Sequence, residues 1–385
     1  SVAQVSAGNR HSCAALLDGR AVCWGDNSRN ELGTSPESYA ERPQLVYFRD
    51  GTVMDDVRAV GAGTDFSCAL RIDGSVYCWG DNSFGEVGSG WGGEFKKLPT
   101  QVWLTAAAVS ISVGEYHACA VARATSLWCW GRNTWGELGN GNTTDQSSPV
   151  QVVVTDGAGH RAPLVGVVKV DAGAGHTCAI LSDTSAACWG ANGDGKLGDG
   201  TAKDKLSPSA VITSDGMGGV VHLTDIATIS AGNNHTCAVL SYDLSGACWG
   251  SNGNGQLGNP AVAIDATSPV PVAVKAAEIS AGGAHSCAIL ADGRLACWGS
   301  NQFGQLGIGP VDGTQSPAFP TARTTAVRIS SGDYHTCAVL SDSTVQCWGK
   351  GDSGQLGDGY TFDRSMPVDV LAVPVSDRIF FDDFE

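Results

Sequence analysis

The chain has 385 residues, of which 42% are hydrophobic, and its 39 acidic and 23 basic residues give a net charge of −16. No apolar run approaches the 18 or so residues of a membrane span, and the acidic balance disfavours binding to nucleic acid or to an anionic membrane. This length would accommodate two or three ordinary domains or one large repeat architecture, so internal repeats decide between them.

One cysteine-containing stretch recurs seven times along the chain. It begins as HSCAALLDGRAVCWG at residue 11 and returns at 66, 117, 176, 235, 285 and 335, with 50 to 59 residues between successive first cysteines. Each copy follows a short apolar stretch that ends in glycine, and a Gly/Asn loop and a proline-marked extended segment come after it. Period-two alternation and glycine punctuation predict about four short strands per copy. The sequence therefore predicts an all-β fold, a seven-bladed β-propeller over residues 1–375, with residues 376–385 as a C-terminal tail.

All 14 cysteines fall in these copies, two in each. The three-residue turn Leu17-Asp18-Gly19 places Cys13 opposite Cys23 in a hairpin, and directly opposed strand residues lie within disulfide range. In the fifth copy the extra residue lies in the turn, so Cys237 still faces Cys248. We therefore predict one disulfide within each blade: Cys13–Cys23, Cys68–Cys78, Cys119–Cys129, Cys178–Cys188, Cys237–Cys248, Cys287–Cys297 and Cys337–Cys347.

A metal site is the alternative interpretation of this cluster. A histidine two positions before the first cysteine shares its strand face, and a Cys2His set is one ligand short of a closed zinc site. Phe66 replaces the histidine in the second copy, where both cysteines remain, so the cysteines are expected to act as a pair. We expect no metal and no cofactor. Paired cysteines in this number imply an oxidising compartment.

Tryptophan and histidine also recur with the repeat. The tryptophan after each second cysteine points to the opposite strand face and is predicted to pack between blades; these are Trp24, Trp79, Trp130, Trp189, Trp249, Trp298 and Trp348. The repeat histidines are predicted to make structural hydrogen bonds: His11, His117, His176, His235, His285 and His335. Asp65, Glu115 and Asp333 are the acids near them. Because the sequence has no nucleophile elbow, phosphate loop or metal-helix motif, we predict no catalytic residue and no enzyme.

The pattern V-x-A-G-x-x-H-x-C-A-L, followed by D-G-x-x-x-C-W-G-x-N-x-x-G-Q-L-G, resembles the repeat of the regulator of chromosome condensation family, a seven-bladed β-propeller. The resemblance covers nearly all of residues 1–375. The founding members are nuclear guanine-nucleotide exchange factors, but this acidic, disulfide-rich chain lacks their wedge-like insertion, so that activity is not expected. In blade pattern and compartment the chain is similar to a secreted bacterial branch that inhibits β-lactamases through aromatic side chains on the loops of one face.

The resemblance to that branch implies binding positions in the turn before each repeat histidine and in the loop after each Trp-Gly. Nine of the 21 aromatic residues outside the repeat tryptophans also fall within residues 60–140, an excess that symmetric packing explains poorly. The alternative is that these rings pack within irregular long loops. The candidate binding residues are Phe66, Phe84, Trp91, Trp103, Tyr116, Trp135, Phe303 and Tyr334.

The termini and the turns suggest further expectations. We expect the last regular segment, MPVDVL from Met366, to pair in the blade of Cys13 and Cys23 and so to close the ring.

The end DRIFFDDFE resembles an export tail, and Phe380, Phe381 and Phe384 are candidate assembly residues. Because no basic-apolar leader precedes Ser1, we expect a mature exported protein, extracellular or periplasmic. Asn142 and Asn234 are sequon positions that matter only in a glycosylating host.

These patterns together predict an exported, non-enzymatic propeller that binds a protein partner, or acts as a scaffold, through the loops of one face. No nucleic acid and no membrane span are expected. One alternative is a self-assembling extracellular subunit of a filament or matrix. The other is an enzyme or glycan-binding protein that uses the central channel.

Overall fold

The computed structural model describes residues 1–34, 38–156 and 158–373. Its strands form seven antiparallel blades, each with its strands in chain order from the inside of the ring to the outside. The first blade consists of β1 (Val2–Ala7), β2 (His11–Leu16), β3 (Ala21–Asp26) and β4 (Tyr39–Leu45). The second consists of β5 (Val57–Ala62), β6 (Phe66–Arg71), β7 (Val76–Gly80) and β8 (Lys96–Val102). The third consists of β9 (Ala108–Val113), β10 (His117–Ala122), a 3-10 turn (Arg123–Thr125), β11 (Ser126–Gly131) and β12 (Gln146–Gln151). The prediction of an all-β seven-bladed propeller is confirmed.

Blades three to five are joined through additional strands. A hairpin of β13 (Val153–Thr155) and β14 (Arg161–Pro163) follows the third blade. The fourth blade consists of β15 (Val167–Ala172), β16 (His176–Leu181), β17 (Ala186–Gly190) and β18 (Lys205–Ala210). A second hairpin of β19 (Ile212–Ser214) and β20 (Val220–His222) follows it.

The fifth and sixth blades share one long strand. The fifth blade begins with β21 (Ile226–Ala231), β22 (His235–Leu240) and β23 (Ser245–Gly250). Strand β24 (Ala266–Ala281) pairs with β23 up to Lys275 and with the sixth blade from Ala276 onward. The sixth blade continues with β25 (His285–Leu290), β26 (Leu295–Gly299) and β27 (Thr314–Ala318). The seventh consists of β28 (Ala326–Ser331), β29 (His335–Leu340), β30 (Val345–Gly349) and β31 (Arg364–Asp369).

The disulfides connect the second and third strands of every blade. Cys13 lies directly opposite Cys23, as the length of the turn predicts, and the two Cα atoms are 4.1 Å apart. The eleven-residue spacing of the fifth blade keeps the same register, with Cys237 opposite Cys248. All seven predicted pairs are confirmed.

The hydrophobic core lies between blades, where each repeat tryptophan is buried. The indole N–H of Trp24 donates to the backbone carbonyl of Gln355 in the preceding blade at 2.8 Å. The same bond recurs at the other six junctions, in the pairs Trp79–Glu31, Trp130–Glu86, Trp189–Glu137, Trp249–Lys196, Trp298–Gln256 and Trp348–Gln305. The predicted position of the tryptophans between blades is therefore confirmed.

The repeat histidines connect each blade to the next through a hydroxyl group. His11 Nε2 lies 2.8 Å from Ser67 Oγ, and Ser67 Oγ in turn donates to the Glu31 carbonyl at 2.8 Å. Because the hydroxyl proton is used on the carbonyl, Nε2 must carry the imidazole proton, which leaves Nδ1 bare. Within the described part of the chain, the buried Nδ1 has no hydrogen-bond partner in any of the six histidines. The other five pairs are His117–Thr177, His176–Thr236, His235–Ser286, His285–Thr336 and His335–Ser12.

The junction between the second and third blades is apolar where the other six are polar. Phe66 stands in the histidine position, and Ala118 stands where the other blades have serine or threonine. Both residues belong to one buried cluster. One level closer to the channel, Gly61 packs against Val113. At the other junctions a side chain at this level accepts a hydrogen bond from a backbone N–H of the next inner strand, as Ser6 Oγ does from Ala62 N. Residues on both sides of this junction thus differ from those at the other six junctions.

A ring of seven glycines narrows the channel at one end. These are Gly8, Gly63, Gly114, Gly173, Gly232, Gly282 and Gly332, and a Cβ on any of them would collide with a neighbouring carbonyl or ring. Next to them, seven backbone hydrogen bonds of 3.0 to 3.3 Å run from blade to blade, among them Asn9 N to Gly63 O and Asp333 N to Gly8 O. The close approach of these strands requires glycine.

The expectation about ring closure is wrong. Strand β31 pairs only with β30 of its own blade, with Val368 opposite Cys347. Closure instead uses the contacts found at the other junctions: Ala7 N donates to Ser330 Oγ at 2.9 Å, and Val2 N donates to Ser343 O at 2.9 Å. Every repeat copy begins with the inner strand of its blade and ends with the outer one, so no strand has to pair in another blade to close the ring.

Two buried glutamates suggest a stabilising substitution. Glu31 and Glu86 occupy the position held by glutamine in blades five to seven. One carboxyl oxygen of each is buried and has no hydrogen-bond partner among the residues that the structure describes. Burial raises the pKa of Glu31 to about 8 and that of Glu86 to about 7. The folded pKa of each glutamate lies above its unfolded value. The contribution of these groups to the free energy of unfolding is therefore fully present below pH 4.5 and is lost as the pH rises through the folded pKa, about 8 for Glu31.

We therefore expect Glu31→Gln to stabilise the protein at pH 8.5, by on the order of 2 to 4 kcal/mol, and to change little at pH 4.5. Urea unfolding at the two pH values measures this. Glu137→Gln is the matched control, because Arg132 Nε lies 2.9 Å from Glu137 Oε1 and that variant loses an ion pair. Equal effects of the two substitutions at pH 8.5 would contradict the explanation.

Candidate functional site

The antiparallel strand order places two kinds of segment on the same side of the ring. The turn before each repeat histidine and the loop after each Trp-Gly both lie where second strands begin and third strands end. We call this side the loop face. The hairpin turns between second and third strands, and the connections between blades, lie on the opposite face.

At the junction of the second and third blades, the loop face carries an aromatic pair with a cation over it. The rings of Phe84 and Tyr116 meet edge to face with centroids 5.9 Å apart. The guanidinium carbon of Arg132 lies 4.3 Å from the Tyr116 centroid, within cation–π range. Glu137 holds Arg132 in place through the 2.9 Å ion pair. These contacts restrict the positions of both rings.

The equivalent positions of the sixth and seventh blades repeat this arrangement. Phe303 and Tyr334 meet edge to face at 5.4 Å. Lys350 Nζ lies 5.2 and 5.3 Å from their centroids and pairs with Asp352 at 3.2 Å. Arg132 and Lys350 both follow a Trp-Gly, so the sequence already contained the signal for the two cations.

Sequence reasoning missed a third aromatic pair, in the loop of the seventh blade. Tyr360 and Phe362 stack with centroids 6.3 Å apart, and Arg364 lies over Tyr360 at 5.2 Å. Both rings are exposed. The signal was the segment YTF in the loop before the fourth strand, where the third and fourth copies carry NTT and TAK.

Six of the eight candidate binding residues lie on the loop face: Phe84, Trp91, Tyr116, Trp135, Phe303 and Tyr334. Trp91 is 79% exposed and Trp135 is 48% exposed. Trp103 is 72% exposed but follows β8, which places it on the opposite face. Phe66 is a correction: it is 1% exposed because it fills the apolar junction with Ala118, so it cannot contact a partner.

The exposed aromatic residues form an arc on the loop face, over blades seven, one, two and three. We call it the aromatic arc, and its members are Tyr39, Phe84, Trp91, Phe95, Trp135, Tyr334, Tyr360 and Phe362. The turns of blades four, five and six carry Gly175, Asn234 and Ala284 in the position of Tyr116 and Tyr334. The loop face therefore has an aromatic side and a side with small or polar residues.

At the centre of the loop face, polar side chains cover the narrow end of the channel. Asn9 Nδ2 donates to Asp333 Oδ2 at 2.6 Å, and Asn233 hydrogen-bonds to the same carboxylate. Burial raises the pKa of Asp333 to about 6. Burial, and then the charge of Asp333, raises the pKa of Glu115 to about 7. Two acidic groups thus share this end of the channel.

The histidines near these acids are unsuited to catalysis. All six are fully buried, and burial lowers the pKa of His11, His117, His235, His285 and His335 to about 3. A general base must reach its substrate and titrate near the working pH. Their predicted structural role is confirmed by the bonds between blades.

Two further properties concern the part of the chain that the structure describes. Within it, no group of three or more histidine, cysteine or acidic side chains could hold a metal ion. Over residues 1–34, 38–156 and 158–373, no helix is long and apolar enough to span a membrane. Phe380, Phe381 and Phe384 lie outside the described residues.

Comparison with known proteins agrees with the repeat pattern. The family model of the regulator of chromosome condensation (RCC1) repeat matches residues 18–70, 73–121, 126–180, 188–239, 248–289 and 292–339. A second model of the same repeat matches residues 2–31, 57–86, 108–137, 167–196, 276–305 and 326–355. The Arabidopsis thaliana ultraviolet-B receptor UVR8 is 32% identical over 300 residues, which is 76% of this chain. The chain spans 63% of that receptor and 24% of the probable human E3 ubiquitin-protein ligase HERC6, which is 30% identical over 264 residues, 66% of this chain.

Solved structures share the fold at low sequence identity. Human WBSCR16 superimposes with a TM-score of 0.77 at 20% identity, over 92% of this chain and 94% of that one. A chain in the crystal structure of Kap60 bound to yeast RCC1 (Prp20) superimposes with a TM-score of 0.75 at 21% identity, over 91% and 83%. The matched models cover more than half of the sequence in phase with its blades, and the chain therefore belongs to the regulator of chromosome condensation (RCC1) repeat family.

Proposed function

We propose that this propeller is a non-enzymatic module that binds a protein partner through the aromatic arc of its loop face. The observation that carries the proposal is the collection of eight exposed aromatic residues on one face of an acidic protein. Aromatic residues dominate binding hot spots, and exposed apolar patches of a folded protein mark interaction sites.

The arrangement of the rings favours binding over self-packing of loose loops. Phe84, Tyr116, Phe303 and Tyr334 are held by edge-to-face contacts and by cations that are themselves anchored to carboxylates. Side chains ordered in advance lose less entropy when a partner arrives. Three cation-capped pairs on the same face, one between blades two and three, one between blades six and seven and one within blade seven, offer a broad and rigid surface.

The family supports a binding role. Yeast RCC1 is found in a crystal structure bound to Kap60, so one member of this family binds another protein. We extend that general role, and no particular partner, to this chain. For the compartment we propose an exported location, because seven disulfides are typical of proteins in oxidising surroundings.

Paired tryptophan substitutions test the proposal. The parent protein and the double variant Trp91→Ala/Trp135→Ala are used to capture partners from the native extracellular fraction. We expect the double variant to lose the captured partner, with a drop in affinity of at least about 100-fold for two hot-spot rings. Thermal unfolding should remain unchanged because both rings are exposed.

Trp103→Ala is the matched control, since Trp103 is similarly exposed but lies on the opposite face. It should retain full binding. Loss of capture in Trp103→Ala, with binding retained in the double variant, would overturn the assignment to the loop face.

The two other roles predicted from the sequence are distinguished by the same proteins. If the arc binds a second copy, light scattering of the isolated parent shows a dimer or larger assembly that the double variant lacks. If the partner is a glycan, capture survives protease treatment of the fraction and is lost after deglycosylation. Either result would overturn the proposal that the arc binds a different protein.

A further inference from the structure

The central channel is a blind cavity of about 640 Å³. Its end at the loop face is narrowed by the ring of seven glycines and covered by Asn9, Asn233 and Asp333. The other end is the start of the inner strands, where Val109, Val168 and Val327 are exposed. The cavity therefore opens on the face opposite the aromatic arc, and its size is that of a small-molecule pocket.

One level inside this opening, each inner strand contributes one residue at the same register. We call this level the polar belt; in ring order its members are Gln4, Ala59, Ser110, Lys169, Thr228, Glu278 and Arg328. The belt holds two cations and one carboxylate. Asp171, one level deeper, also lines the cavity, so its walls carry two cationic and two acidic residues.

The charges of the belt are unequally satisfied. Arg328 lies 3.8 Å from Glu278, and Glu278 also accepts the backbone N–H of Ile329 at 3.2 Å. Lys169 lines the cavity and has no carboxylate within 4 Å in the described part of the chain. Among the charged residues of the belt, Lys169 is therefore the one that forms no ion pair within the described residues, and the carboxylates of Asp171 and Glu278 act on it only at longer range.

The neighbours of Lys169 in the ring also have unused hydrogen-bonding capacity. Ser110 precedes it and Thr228 follows it at the same level, and neither hydroxyl has a hydrogen-bond partner within the described residues. Asp171, one level deeper, is already engaged, because it accepts Ala231 N at 2.7 Å and Ser112 Oγ at 3.2 Å. Of these two residues, Thr228 lines the cavity together with Lys169, and an ammonium beside a hydroxyl-bearing side chain matches the needs of a carboxylate.

We propose that the channel binds a small organic carboxylate, whose charged group lies at Lys169, on the side of Thr228. Its apolar part lies toward the valines of the opening. This site is independent of the aromatic arc, because it opens on the other face and the glycine ring separates the two.

Calorimetric titration with three carboxylates, benzoate, succinate and citrate, tests this site, with benzylamine as the probe of opposite charge. We expect saturable binding of at least one carboxylate in the millimolar range or tighter, and none of benzylamine. Lys169→Met should weaken that binding at least about tenfold, the loss expected for one charge-assisted hydrogen bond. Lys203→Met removes an exposed lysine outside the channel and should leave the affinity unchanged.

Two results would overturn the proposal: no saturable binding of any of the three carboxylates, or equal affinity in the parent and in Lys169→Met. Capture of a protein partner by the loop face is measured on the same variants. Lys169→Met should leave it intact, so the failure of one proposal is distinguishable from the failure of the other.

Discussion

Gly332→Ala should destabilise the protein by on the order of 3 kcal/mol or more, or prevent the ring from closing. A Cβ at this position would lie inside contact distance of the Gly8 carbonyl, and of the backbone of Ala7, across the junction of the seventh and first blades. Neither group can move freely, because Asp333 N donates to Gly8 O in the blade-to-blade ring of hydrogen bonds. Backbone on both sides of the junction must therefore shift. Urea unfolding followed by tryptophan fluorescence measures the loss.

Gly193→Ala is the matched control for this prediction. Gly193 lies on the loop face with no heavy atom within 4 Å of an added Cβ, and its φ is not in the left-handed region. Its substitution should change the free energy of unfolding by less than about 1 kcal/mol in either direction. If both variants are equally stable, the glycine ring does not close the propeller.

Acid should unfold the propeller through its buried histidines. Burial lowers the pKa of five of them to about 3 and that of His176 well below its usual value. Between about pH 6.5 and 3 the unfolded chain therefore binds more protons, and the free energy of unfolding falls as the pH is lowered through that range. At pH 4.5 the loss should be about 2 to 3 kcal/mol per histidine. The buried glutamates, with raised pKa values, act in the opposite direction at higher pH.

The apolar junction supplies the substitution that tests this. His235→Phe with Ser286→Ala copies the Phe66–Ala118 pair into the junction of the fifth and sixth blades. His235→Phe alone crowds a phenyl ring against Ser286, and Ser286→Ala alone leaves His235 Nε2 without its partner. Each single change should cost about 2 to 4 kcal/mol at pH 7.5. The double variant should recover about 1 to 3 kcal/mol of the summed cost, because the two residues are in contact.

The decisive comparison is the change between pH 7.5 and 4.5. The double variant should lose about 2 to 3 kcal/mol less stability over this interval than the parent. His222→Phe, which replaces an exposed histidine outside the junctions, serves as the control and should keep the parental drop. An unchanged drop in the double variant would show that the junction histidines do not cause the acid sensitivity.

Local patterns in the sequence were sufficient for the parts of the fold that depend on a single hairpin. The pairing of Cys237 with Cys248 follows from the turn length alone, since register is set by the turn. The burial of Trp24 follows from its strand face, opposite to Cys23. Ring closure could not be derived in this way, because it depends on contacts between the first and seventh blades, more than 300 residues apart.

The candidate site was predicted less completely, for a physical reason. Aromatic content identifies exposed and buried rings alike, so Phe66 was grouped with Phe84 although one is core and the other surface. One sequence difference does separate the two residues: Ala118 stands where each repeat histidine finds a serine or threonine hydroxyl in the next blade. For Trp103, the direction of β8 decides the face, and only the strand order shows which end of that strand carries it.

Footprinting of the exposed rings tests the proposed function most directly. Hydroxyl-radical modification of the parent is compared with and without the captured partner, and the rate at each aromatic residue is read by mass spectrometry. The account predicts protection of Phe84, Trp91 and Trp135 on the loop face and an unchanged rate at Trp103. Protection of Trp103 with the aromatic arc still reactive would contradict it.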